Sequence, residues 1–282
     1  SKAMKFTLSW LFDHLETDAS LEQIVDMLPM VGLEVESLVN PRESFAAFRV
    51  AEIVTAEQHP NADRLRVCTV NAGGETLSIV CGAPNARSGL KTVLAPVGAY
   101  VPGADITIKA GRIRGETSQG MLCSSAELGI SEEADGIIEL AADAQTGANF
   151  ADYAEQIRLS QIDPVIEIAI TPNRGDCLGV RGVARDLAAA GMGSLKPLDF
   201  SPAVGEGASP VTWHIDDSAL ALVPVVSGRM FSGVSNGASP AWLADRLTAI
   251  GQRPISALVD ITNYIMFDLG RPLHAYDGDK IA

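Results

Sequence analysis

Leu8, Leu11, Phe12 and Leu15 recur at i, i+3, i+4 and i+7, the spacing of one apolar helix face, and Thr7 or Ser9 stands where the helix starts. Ser20 and Gln23 lie three apart at the head of Leu21, Ile24, Val25 and Leu28. That arrangement predicts a second helix opened by a capping box. Pro29 and Gly32 are expected to end it, and Leu33 to Val39 then alternates as a strand does. From about residue 45 the texture changes to short runs rich in β-branched residues. Val50–Thr55, Arg66–Asn71, Leu77–Cys81, Thr92–Pro96 and Ile106–Ala110 read as five strands. Ala72-Gly73-Gly74-Glu75 supplies the glycines of a hairpin between the second and third.

Five short strands at this spacing fit a small closed barrel, the OB-fold being the five-stranded case. Beyond residue 150 a strand is expected at Val165–Thr171, then the turn Thr171-Pro172-Asn173-Arg174-Gly175-Asp176. A helix follows with Val180, Val183, Ala184 and Leu187 on one face and Gly191 at its end. Residues 191–210 hold four Gly, three Pro and three Ser and read as a linker. Ser239-Pro240 starts a further helix through Leu243, Leu247 and Ile250 to Gly251. The last stretch, closing soon after Asp277-Gly278, reads as a truncated domain.

The chain has 282 residues, 47% of them hydrophobic and 20% charged, enough for two or three domains with cores. No apolar run reaches the ~18 residues needed to span a bilayer. Ser1-Lys2-Ala3 ahead of Met4 reads as an expression remnant, with no signal peptide after it. A cytoplasmic protein is expected. The 21 basic residues are outnumbered by 35 acidic ones, a net charge of −14. That balance argues against tight stand-alone nucleic-acid binding but leaves room for a local basic patch. Arg87, Lys91, Lys109, Arg112 and Arg114 form the one sizeable positive bias, with only Asp105 between them. Cys68, Cys81, Cys123 and Cys177 show no metal-ligand spacing, and His14, His59, His214 and His274 add none, so no metal is assigned.

Gly111-Arg112-Ile113-Arg114-Gly115 lacks the ending of a phosphate-binding loop, and no dinucleotide fingerprint follows a strand. Three polar turns stand out instead: His59-Pro60-Asn61-Ala62-Asp63-Arg64-Leu65, Val80-Cys81-Gly82-Ala83-Pro84-Asn85, and the stretch from Arg114-Gly115-Glu116 to Gly120-Met121-Leu122-Cys123-Ser124. By propensity each is simply a preorganised turn.

In this order they resemble the tRNA-binding OB module of the EMAP-II kind. Gly32-Leu33-Glu34-Val35-Glu36, Thr171-Pro172-Asn173-Arg174-Gly175-Asp176-Cys177-Leu178-Gly179, Asp260-Ile261-Thr262-Asn263-Tyr264 and Gly270-Arg271-Pro272-Leu273-His274-Ala275-Tyr276-Asp277 narrow the match. Together they resemble the N-terminal portion of the bacterial phenylalanyl-tRNA synthetase β subunit across residues 4–282.

The resemblance implies an α+β multidomain fold. A five-stranded OB-type barrel, residues 41–150, is inserted in a small N-terminal domain of residues 4–40 plus 151–200, and an incomplete α/β editing domain occupies 205–282. A strand at 33–39 is expected to pair with 165–171. The resemblance further implies a subunit of an (αβ)₂ ligase that joins phenylalanine to tRNA(Phe) with ATP and Mg²⁺, the ligating centre lying in the α subunit and no cofactor being held by this portion. Neither membrane nor DNA contact is expected.

It also implies a site that hydrolyses mischarged Tyr-tRNA. A hydrophobic pocket rejects an added hydroxyl only ~10²-fold, so a second, hydrolytic check is useful. Thr262, Asn263 and His274 are the matching positions, with Pro272 shaping the loop. Thr and Asn orient water or the ester carbonyl, and His positions the tRNA terminus. Without the resemblance, Thr262-Asn263 reads as a turn and His274 as a structural histidine. The contrasting whole-chain readings are a free-standing tRNA-binding OB protein and a stand-alone trans-editing hydrolase. The first has no use for the motifs after residue 165, and the second needs a complete editing domain.

Overall fold

The computed structural model describes residues 2–157 and 159–281. The first segment gives β1 (Lys2–Thr7), α1 (Leu8–His14), β2 (Leu15–Glu16), α2 (Leu21–Met30) and β3 (Glu34–Val39). The middle gives α3 (Arg42–Phe45), β4 (Arg49–Gln58), β5 (Arg66–Asn71), β6 (Thr76–Cys81) and β7 (Lys91–Pro96). Next come β8 (Tyr100–Val101), β9 (Ile106–Thr107), β10 (Gly111–Ile113), β11 (Glu116–Ser118), β12 (Gly120–Leu122) and α4 (Phe150–Gln156). The last segment gives β13 (Val165–Ile170), α5 (Val180–Ala189), β14 (Ser194–Leu195), α6 (Ala241–Ala249) and α7 (Ala257–Leu269). These elements make two units: the described residues up to Leu38 together with those from Val165 onward, and residues 39–164.

In the first unit a three-stranded sheet runs in the order β1-β13-β3. Strand β13 is thus the shared neighbour of β3, as expected, and of β1, which the sequence reading missed. Met4 and Phe6 alternate inward on β1, opposite Ile168 and Ile166 of β13, but two apolar positions are too few to stand out as a strand. On that face the core joins them to Trp10, Leu11, Ile24, Leu28, Val183 and Leu187 of the helices. Trp10 and Phe6 are fully buried, each such side chain stabilising by about 1.5–3 kcal/mol. The other face of the sheet is polar: Glu167 bonds Lys5 Nζ at 3.5 Å and accepts from Ser37 Oγ at 2.9 Å.

The helix ends follow local chemistry. Thr7 Oγ1 accepts from Trp10 N, and Ser20 with Gln23 forms the expected reciprocal capping box. Helix α2 runs through Pro29 to Met30 instead of ending at the proline. In the last turn Pro29 forfeits just one intrahelical bond, and the stop comes from Gly32 at φ 82°. Leu33 N then reaches Leu28 O and Gly32 N reaches Pro29 O, the paired bonds of a Schellman ending.

The second unit is built on a five-stranded sheet in the order β12-β7-β4-β5-β6. Its outer strands are drawn together by Gln119 N to Ser78 O (2.8 Å), Ser78 N to Gln119 Oε1 (3.1 Å) and Val80 N to Ser118 Oγ (3.1 Å), giving a nearly closed barrel. Strand β4 serves both neighbours, and its register shift between Ile53 and Thr55 supplies the bend. Ala51, Ile53, Cys68, Val70, Ile79 and Leu94 fill one core cluster. Phe45, Phe48 and Phe150 belong to a second, in which α4 packs with the barrel residues Val93 and Ala95. The turn at Gly73-Gly74 forms as expected, both at positive φ.

The fifth sheet strand is not Ile106–Ala110. Ile106–Thr107 pairs with Tyr100–Val101 in a separate ribbon, and the place beside β7 is taken by Gly120–Leu122. Gly120 allows this approach, since a Cβ there would lie 3.1 Å from Ala95 O. β-Branched content marks a strand without saying what it pairs with.

From β14 to α6 the chain has no regular helix or strand, and Phe200, Val204, Leu222, Val225 and Phe231 are exposed there. No helix of the described residues is long and apolar enough to cross a membrane.

Candidate functional site

The five basic residues of the middle segment separate into two groups. Arg87 is neutralised by a two-pronged pairing with Glu139, both N–O distances 2.8 Å, and this pairing pulls the Glu139 carboxyl down to about 2. Lys91 spends its ammonium on Ala144 O at 2.6 Å. Lys109, Arg112 and Arg114 are exposed. Lys109 and Arg112 line a groove of about 550 Å³ whose other residues include Val80, Ile106, Met121 and Ile137, with Asp135 also on its border.

Arg112 and Arg114 ride on the β10–β11 hairpin, where Arg112 pairs with Thr117. At its tip Arg114 has φ 51° and Gly115 φ 100°, the left-handed pair of a tight hairpin turn. A non-glycine residue is held there at a cost, and His59 supplies the restraint. Its ring is buried, Nδ1 accepts from Asn61 N at 3.0 Å, and Nε2 therefore carries the proton and donates to Ile113 O at 3.0 Å. Asn61 Nδ2 adds a bond to Arg114 O at 3.2 Å. The turn His59-Pro60-Asn61 is thus more than a connection: it is a clamp on the basic hairpin. Turn propensity could not reveal this, because the partner lies more than fifty residues along the chain.

In the other unit, Thr262 and Asn263 sit side by side on α7, so the turn alternative for them is replaced by helix. Both are half-buried. Thr262 Oγ1 donates to Val259 O at 2.7 Å, which leaves its lone pairs available to a water or an ester group. Two further residues of that motif, Asp260 and Tyr264, are structural. Asp260, fully buried, accepts from Ile255 N at 3.0 Å and Ser239 Oγ at 2.5 Å, tying the start of α6 to α7. Tyr264 stacks on Trp10 with centroids 5.3 Å apart. Helix α7 ends at Gly270 with φ 70°. His274 follows in an exposed stretch, its ring 6.1 Å from that of Tyr276, and among the described residues no hydrogen bond joins it to Thr262 or Asn263.

The Thr171–Gly179 motif is a charge network. Arg174 bonds Asp176 at 3.1 Å, Asp186, and Val31 O at the end of α2, and Arg185 bonds both aspartates. The Asp176 carboxyl is held below the usual carboxylate range, first by Arg174. Asp176, Cys177 and Asp186 bring possible ligand atoms within 4.8 Å of one another. The two guanidinium groups already balance those carboxylates, and burial pushes the Cys177 thiol up to about 12.

Residues 48–149 match the family described as “Putative tRNA binding domain”, and residues 222–282 match the B3/4 domain. Along 99% of its length the chain is 55% identical to the phenylalanine–tRNA ligase beta subunit of Gluconobacter oxydans, covering 33% of that protein. The corresponding subunits of Nitrobacter winogradskyi and Ruegeria pomeroyi are each 53% identical over 99% of the chain, which covers 34% and 35% of them. The likeness along nearly the whole chain is to phenylalanine–tRNA ligase beta subunits, and the chain spans about a third of the length of these relatives.

The clamp gives a measurable expectation. His59→Ala removes both ring bonds and should lower the stability of the barrel unit by about 1–3 kcal/mol. Amide exchange should rise selectively across Gly111–Ser118. Unchanged protection in that hairpin would show that His59 does not hold it.

Proposed function

We propose that this chain works within the beta subunit of a phenylalanine–tRNA ligase, which attaches phenylalanine to tRNA(Phe) with ATP and Mg²⁺ in an (αβ)₂ assembly in the cytoplasm. The observation that carries this is the 53–55% identity to such subunits along nearly every residue. A free-standing RNA-binding module is disfavoured, since the likeness runs on through the B3/4 match at 222–282. In this reading residues 41–150 are an OB-type module, 4–40 plus 151–200 the domain into which it is inserted, and 205–282 the beginning of an editing domain.

The division of chemistry is the one the likeness implies. The Asp176–Cys177–Asp186 cluster does not suit Mg²⁺, which takes oxygen ligands, because its carboxylates are already paired with arginines. Ligation is assigned to the α subunit on the strength of the likeness to these ligase subunits, and no step of it to this chain. Hydrolysis of mischarged Tyr-tRNA is assigned to α7 and the segment after it. Thr262 and Asn263 orient the attacking water or the ester carbonyl, and His274, free of buried bonds, meets the tRNA terminus. Lys109, Arg112 and Arg114 supply the RNA contacts of the barrel unit, since Arg87 and Lys91 are spent internally.

Two measurements test this. In the whole heterotetramer, His274→Ala should slow deacylation of preformed Tyr-tRNA about tenfold or more and leave Phe-tRNA synthesis within about twofold. Lost synthesis with intact deacylation would contradict the assignment. RNA binding through three free cations should give a log–log salt slope of about −2 to −3 for the isolated chain. Submicromolar binding that ignores salt would rule those contacts out.

A further inference from the structure

Helix α7 has two sides with different partners. Thr262 stands about 160° around the helix from Tyr264, at about 100° per residue. The Tyr264 side is gripped. Trp10 lies flat on Tyr264 with an interplanar angle of 5°, Trp242 meets the same ring edge-on, and the Arg246 guanidinium covers Trp10 at 5.3 Å.

One turn further on, Asp268 is buried, and two donors from α1 converge on its Oδ1. Trp10 Nε1 donates at 2.8 Å and His14 Nε2 at 2.5 Å. His14 is itself fixed, its Nδ1 facing Arg181 Nη1 of α5 at 3.4 Å. At the end of the helix Gly270 lies against Gly179, where an added Cβ would sit 2.3 Å from Gly270 N.

Apolar packing alone would hold α7 against the core but tolerate sliding and rotation. Two directional bonds on a single carboxylate oxygen fix both. Replacing a buried polar pair as a whole by apolar residues commonly costs little stability, whereas removing one partner strands the other; what the intact pair adds over apolar packing is orientation.

We propose that Trp10 and His14, acting through Asp268, are positioning residues for the hydrolytic groups on the far side of α7, setting where Thr262 and Asn263 stand. The inference rests on the editing role proposed for those two residues. A displacement of about 1 Å at a reacting centre costs up to about a hundredfold, so a loosened helix should act on turnover.

The test uses the full heterotetramer and preformed Tyr-tRNA. His14→Leu should lower kcat for deacylation about tenfold, with KM for Tyr-tRNA and the rate of Phe-tRNA synthesis unchanged. His14→Gln, whose amide can still donate to Asp268, should recover to within about threefold of the parent. Trp10→Phe keeps the ring on Tyr264 but removes the indole donor, and should lower kcat several-fold if His14→Leu yields no folded protein. Unchanged deacylation in both His14→Leu and Trp10→Phe would overturn the proposal. So would a fall in kcat that His14→Gln fails to relieve, or a parallel loss of Phe-tRNA synthesis. Thr262→Ala in the same assay separates the two levels. If it slows deacylation while neither His14→Leu nor Trp10→Phe does, only the positioning role fails; if it has no effect, the editing role of α7 fails and the positioning role with it.

Discussion

Strand Val165–Ile170 is hydrogen-bonded on both sides, by Lys2–Thr7 and by Glu34–Val39, which do not pair with each other. The first segment has no sheet until the chain returns from beyond residue 164. The core of that unit is referred to this strand. Ile166, Ile168 and Ile170 point from it into the core that α1, α2 and α5 close. The turn that leaves it carries Arg174 to the end of α2, and α5 carries Arg181 to His14. Such a dependence on distant pairing costs loop-closure entropy and predicts slow assembly, but it brings the two ends of the middle segment together.

That dependence also explains which features were legible in the sequence. Local signals were readable: the Ser20–Gln23 capping box, the Gly73-Gly74 turn, the apolar faces of α1 and α5, and four of the five sheet strands. The meeting of 33–39 with 165–171 was legible only with the resemblance, which implied an insert between these two alternating runs. Strand β1 was not, since only Met4 and Phe6 mark it. The fifth barrel strand was misplaced because Gly120, the residue that admits it, carries no strand propensity at all.

The candidate sites were legible in residue type but not in partnership. A charge count found five cations, and only the fold shows that Glu139 and Ala144 have already claimed two of them. His59 looked like one residue of a turn, whereas its two ring nitrogens bridge that turn to the hairpin bearing Arg112 and Arg114. Asp260, Thr262, Asn263 and Tyr264 formed one motif on paper. On α7 they take separate tasks, the first and last holding the helix and the middle two left half-open. With a net charge of −14, such a chain has only local means of engaging RNA, so precise placement of few groups matters more than overall field.

The most direct test is to find where the end of the tRNA goes. The whole αβ enzyme would be irradiated with tRNA(Phe) bearing a photoreactive group at its 3′-terminal adenosine, under conditions of Tyr-tRNA hydrolysis, and the labelled peptides mapped. Label on the peptides spanning residues 257–276 is the expected result. Label confined to other regions while mischarged tRNA is still hydrolysed would contradict the role assigned to α7 and His274.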